Sequence, residues 1–157
     1  MSLRTSQWSN ANVLFDANRH VGHAAGRCSQ DGRISLPNNN PNAPSGLTIR
    51  GSLFASGGSD GILNGSNGTV IEGNTFQDLE EGGAHTDAIQ LFGALNTTIR
   101  RNMFYDVTIC LMSPDGGRNI TFTDNVCVQA GPDGAFGLLL GRLIRPSCEQ
   151  RPAACPT

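Results

Sequence analysis

The sequence predicts an all-β protein wound as a solenoid of short parallel strands, about five or six turns long. Three observations predict it. The composition is rich in turn formers and poor in helix formers, with 20 Gly, no Lys and only 15% charged residues. Four segments in the middle of the chain repeat one pattern, at steps of 22, 28 and 23 residues (52 to 74, 74 to 102, 102 to 125). A second apolar segment follows each of them, so every unit holds at least two short strands.

The totals bound the reading. A chain of 157 residues suits one domain with a real core. The net charge of −2 gives no electrostatic footprint for nucleic acid. No apolar run approaches the roughly 18–20 residues that cross a bilayer, so no membrane partner is expected. The N-terminal MSLRTSQWSNANVLFD lacks the basic-then-apolar order of a signal peptide.

Residues 1–45 are read as an N-terminal cap and irregular first coils. NVLFDAN and GRISLPNNNPN are their strand-like pieces, and Trp8, Val13 and Phe15 their capping side chains. An open solenoid needs such caps, because unpaired strand edges invite association; poorly capped ends would self-associate end to end. His20 and His23 have i,i+3 spacing but no Cys or third ligand beside them, which is thin support for a metal site.

Residues 46–141 hold the repeats. GLTIRGSLF (46–54), GTVIEGNTF (68–76), NTTIRRNMF (96–104) and RNITFTDNVC (118–127) align in columns. One column is Ile49, Ile71, Ile99 and Phe122; another is Ser52, Asn74, Asn102 and Asn125; a third is Phe54, Phe76, Phe104 and Cys127. Parallel turns stacked about 4.8 Å apart place equivalent residues over one another. Apolar columns then form the interior, and Asn over Asn at a bend passes amide hydrogen bonds along the axis. The second strands are DGILNG (60–65), TDAIQLFG (86–93), VTICLMS (107–113) and AFGLLLG (135–141). The longest step is absorbed by the EEGGAH loop before the second of these.

Alternation assigns faces. With the Ile column inside, Arg50, Glu72, Arg100 and Thr123 share one outward column, and a surface charge ladder is the simplest reading of it. On the second strand Ile89 and Leu91 point in. Ala88, Gln90 and Phe92 then point out, on a face shared with Leu63, Cys110 or Met112, and Leu139. Residues 142–157 are a Cys- and Pro-rich capping tail, in which Cys148 and Cys155 are spaced to close a small loop. Cys28, Cys110 and Cys127 read as buried thiols.

The N-x-F pattern after T-I-R or V-I-E, with H-T-D-A-I-Q following, resembles the right-handed parallel β-helix repeat proteins of the pectate-lyase-like superfamily. The resemblance spans roughly residues 46–141. It implies a right-handed parallel β-helix and a secreted or cell-surface setting. It also implies a carbohydrate-active domain, a lyase or epimerase-like enzyme acting on acidic polysaccharide. In that chemistry Ca²⁺ takes oxygen ligands and neutralises the uronate, here from Asp60, Asp87, Glu80 and Glu81. His85, Asp87, Arg100 and Arg101 are the catalytic candidates, an Arg removing the proton next to the carboxylate. Gln90 and Arg118 are the substrate-binding candidates.

The superfamily also contains non-enzymatic members, and the short chain fits a second reading, a non-catalytic glycan-binding or structural and assembly module. Asp at a strand start commonly bonds backbone N–H groups in a turn, so Asp87 repeating Asp60 also reads as a turn ladder. Four Asn-x-Ser/Thr triplets begin at Asn64, Asn67, Asn96 and Asn119. In so Asn- and Thr-rich a chain they carry little information on their own.

Overall fold

The computed structural model describes residues 3–4, 12–22, 32–36, 46–79, 86–128 and 136–140. They form sixteen strands, numbered in chain order, in three parallel sheets. Sheet A stacks β1 (Leu3–Arg4), β4 (Ile34–Leu36), β7 (Ile62–Asn64), β10 (Asp87–Leu91), β13 (Ile109–Ser113) and β16 (Phe136–Leu140). Sheet B stacks β2 (Leu14–Asp16), β5 (Thr48–Arg50), β8 (Val70–Glu72), β11 (Ala94–Arg100) and β14 (Gly117–Thr123). Sheet C stacks β3 (Arg19–Val21), β6 (Leu53–Ala55), β9 (Thr75–Leu79), β12 (Met103–Val107) and β15 (Val126–Val128). The chain visits A, B and C in turn, so each coil adds one strand to every sheet.

The columns read from the repeats are the columns of the fold. Ile49 pairs with Ile71, Ile71 with Ile99, and Ile99 with Phe122. Phe54, Phe76, Phe104 and Cys127 pair in the same way. The rings of Phe54, Phe76 and Phe104 are fully buried and stack at 4.7 and 4.9 Å. A segment outside the aligned repeats joins these columns: Phe15 pairs with Ile49, and His20 pairs with Phe54 and stacks on it at 4.8 Å. His20 thus heads the aromatic column.

Two-residue corners between sheets B and C explain why Asn recurs. The first corner residue has positive φ in every coil: Ala17 (53°), Gly51 (58°), Gly73 (62°), Arg101 (56°) and Asp124 (55°). The second is Asn18, Ser52, Asn74, Asn102 or Asn125, and these run as a ladder. The N–H of Asn18 donates to Ser52 Oγ at 3.1 Å, and those of Ser52, Asn74 and Asn102 donate to the next Asn Oδ1 at 2.9 Å. The amides of Asn74, Asn102 and Asn125 donate back to Ile49, Ile71 and Ile99 carbonyls at 3.0 Å. Each buried amide therefore satisfies backbone groups that the bend removes from the sheets.

Two side-chain assignments differ from the alternation. Ala88 was placed outside, yet it is fully buried. By register it lies between Gly61 and Cys110, at the corner where sheet C meets sheet A. A Cβ at Gly61 would come within 2.9 Å of the Phe76 ring, so this column of small residues faces the aromatic stack. Cys110 and Cys127 are joined by a disulfide with Cα atoms 6.4 Å apart, rather than standing as buried thiols. Cys28, the Cys148–Cys155 pair, Trp8, His23 and the EEGGAH loop lie outside the described residues.

Candidate functional site

The chemically loaded place in the fold is the corner that opens sheet A. Asp60 and Asp87 stand before the buried column Ile62 and Ile89 in successive coils. Both carboxylates are turned into the protein, Asp87 at 0% and Asp60 at 6% exposure. Asp60 Oδ1 accepts the Asp87 N–H at 2.9 Å, so this pair couples one coil to the next as the Asn ladder does elsewhere.

Arg33 joins them, and sequence reading missed it. By register Arg33 occupies the position of Gly61 one coil earlier, pointing inward where later coils carry a small residue. It is fully buried. Its Nη1 donates to the carbonyls of His20 (2.6 Å) and Ala55 (2.7 Å), and its Nη2 to that of Ser56 (2.6 Å). Burial pushes the guanidinium pKa down to about 10, while the charge of Asp60 opposes the fall. The available signal was the match of GRISL to DGILN, which sets Arg33 in the inward column. With a single Gly and a single Ala as precedents, that column did not announce a cation.

The other candidates lie elsewhere around the coil. Arg100 faces out from sheet B and is paired with Glu72 at 2.7 Å. Its column reads Asp16, Arg50, Glu72, Arg100, Thr123, and Arg50 bonds Asp16 at 2.8 Å. The Arg50 hydrogen bond lowers the Asp16 pKa. Arg101 is exposed at a left-handed corner position between sheets B and C. Gln90 is half-buried on the outer face of sheet A, in register with Leu63 and Met112. Arg118 is exposed in sheet B, level with Leu95. Glu80, Glu81 and His85 lie outside the described residues.

Calcium favours six to eight oxygen ligands in an open cage. Asp60 and Asp87 do not make one by themselves, since one carboxylate oxygen is already committed to a backbone N–H. Among the described residues no cluster of three or more His, Cys, Asp or Glu forms.

The outer face of sheet C carries a different feature. Met103, Tyr105, Val126 and Val128 are each more than two-fifths exposed. They are mutual neighbours, Met103 level with Val126 and Tyr105 with Val128, and Gln77 lies beside Tyr105. Of the four sequon asparagines, Asn64 is fully buried, whereas Asn67, Asn96 and Asn119 form an exposed amide ladder. Asn96 and Asn119 fall where Gly46 and Gly68 stand in earlier coils, all with positive φ, which explains Asn at those positions.

A family model described as "Right handed beta helix region" matches residues 7–140. Neither the curated proteins nor the solved structures yield a match.

Proposed function

The chain belongs to the right-handed β-helix family, and from that premise we propose that it is a non-catalytic module that binds glycan on its outer surface. One observation carries the reading. Among the described residues the candidate acids and arginines stand apart: Asp60 and Asp87 are buried in a structural corner, Arg100 is paired on sheet B, and Arg101 occupies a turn. A general base must reach its substrate proton within hydrogen-bond distance. The exposed Tyr105 ring, with the Gln77 amide beside it, supplies a flat apolar surface and a polar handle of the kind a sugar ring can use. The Cys110–Cys127 disulfide supports a secreted or cell-surface setting.

The alternative is a lyase or epimerase-like enzyme on acidic polysaccharide. It is favoured by two carboxylates on adjacent coils, Asp60 and Asp87. One experiment separates the readings. The protein is incubated with alginate, pectate and glycosaminoglycans, with and without Ca²⁺, while ultraviolet absorbance follows unsaturated product and reducing-end analysis follows cleavage. Binding to the same glycans is measured in parallel with wild type and Tyr105→Ala. Retention that weakens in Tyr105→Ala, without turnover, is the expected result. Turnover abolished by Asp87→Asn at unchanged fold would overturn the binding-module reading.

A further inference from the structure

Between sheets C and A, a column that is aromatic through its middle faces a column that carries Gly61 opposite Phe76 and Cys110 opposite Cys127. The aromatic column runs His20, Phe54, Phe76, Phe104, Cys127. By register, the facing column runs Arg33, Gly61, Ala88, Cys110. Ring spacing is 4.7–4.9 Å through the three Phe residues. The stack then runs out: the next ring over Phe104 is Phe122, from another column, at 6.2 Å and 25°. At that rung both columns change to Cys, and the two Cys are bonded to each other. The bond thus stands where ring packing would otherwise join the sheets.

Here we propose that Cys110–Cys127 is a redox-sensitive clasp that keeps the edge strands β14 and β15 wound onto the solenoid. β14 and β15 are edge strands, with a neighbour on one side only among the described residues. All of β15 is exposed, Cys127 included, whereas Cys110 is buried. Cys127 is thus the member of the pair nearer to solvent, the side from which a reductant approaches. A dithiol reductant delivers two electrons to the Cys110–Cys127 bond. Its own sulfurs close into a cyclic disulfide, and the two protons it gives up end on the Cys110 and Cys127 thiols. Besides the bond, β15 is held by its ladder with β12, by the Val126 N–H to the Asn102 carbonyl, and by the Asn125 rung, which bonds Asn102 and the Ile99 carbonyl. Opening then proceeds as local unfolding from the end, with upstream coils intact.

The test is hydrogen exchange by mass spectrometry on peptides covering 117–128, with 70–79 as the internal control. Reduction of wild type with a dithiol is expected to speed exchange in 117–128 on the order of a hundredfold, the loop-closure effect for a bridge of this span, and to leave 70–79 unchanged. Cys110→Ala/Cys127→Phe restores the residue types of the upstream rungs. It keeps Cys28, Cys148 and Cys155, so it isolates this one bond. That variant is expected to stay protected with and without reductant. Cys127→Ser is expected to be loose in 117–128 from the outset, with no further response. The proposal is overturned if mass shows this pair reduced while 117–128 exchanges as before. It is equally overturned if the Ala/Phe variant responds to reductant as wild type does.

Discussion

Arg33→Leu is the substitution that most directly tests how the first coils are held. The guanidinium is fully buried and donates to three carbonyls of sheet C strands or the residue just after one: His20 within β3, Ala55 at the end of β6 and Ser56 after it. Leucine fills similar space but leaves those acceptors without their donor. Each buried acceptor so abandoned costs about 1–3 kcal/mol where water cannot replace the donor. It also removes the charge that faces Asp60, and an uncompensated buried ion raises the cost of breaking such a pair to about 3–5 kcal/mol. The larger figure sets the expectation, because Ala55 and Asp60 are both nearly inaccessible. In a chain of this size that corresponds to a melting point lower by roughly 10–15 °C. Urea denaturation followed by circular dichroism measures it, with an unchanged slope confirming that the unfolded state is the same. Adding Asp60→Asn should recover part of the loss, giving a coupling above about 0.5 kcal/mol. An Arg33→Leu protein within about 1 kcal/mol of wild type, or strictly additive single effects, would refute the claim that this buried cation organises the corner.

Other expectations follow from single contacts. Asn102 lies inside the buried ladder, so Asn102→Ala should cost about 2–4 kcal/mol by urea denaturation, whereas Asn67→Ala on the exposed ladder should stay within about 0.5 kcal/mol. Gly61→Ala would drive a methyl toward the Phe76 ring and the Ala88 carbonyl, an overpacking cost of about 1–3 kcal/mol; Gly73→Ala meets no atom within 4 Å and should lose only the left-handed strain, about 1–2 kcal/mol. The pKa of Asp16 is lowered in the folded state, so its pairing with Arg50 stabilises at pH above the unfolded carboxylate value and is lost as pH falls through the folded one. The stability difference between wild type and Asp16→Asn should therefore be constant above about pH 4 and shrink below it.

What could be read from the sequence was what repeats. Ile49, Ile71 and Ile99 announce an inward column because the same side chain returns at the same offset three times, and a parallel coil is the arrangement that gives such returns a shared environment. Asn74, Asn102 and Asn125 announce a bend ladder for the same reason. The corner before them was harder to see. Ala17, Gly51, Gly73, Arg101 and Asp124 share a positive φ but no side-chain chemistry, so a backbone constraint there left no residue signature. Arg101 draws notice by its charge, and the structure adds that it holds a left-handed turn position. The departures from periodicity carry the remaining chemistry. Arg33 stands where Gly61 and Ala88 follow, and Cys110 and Cys127 stand where small and aromatic residues precede. Each puts a strong interaction where the regular column carries none: Arg33 donates to three carbonyls from just before β4, a strand flanked by β1 and β7, and Cys127 ties the edge strand β15 to Cys110 of β13. Among the described residues, two departures from the inward columns thus carry a buried cation bonded to backbone carbonyls and a covalent link, whereas the surface ion pairs stay within the regular outward column.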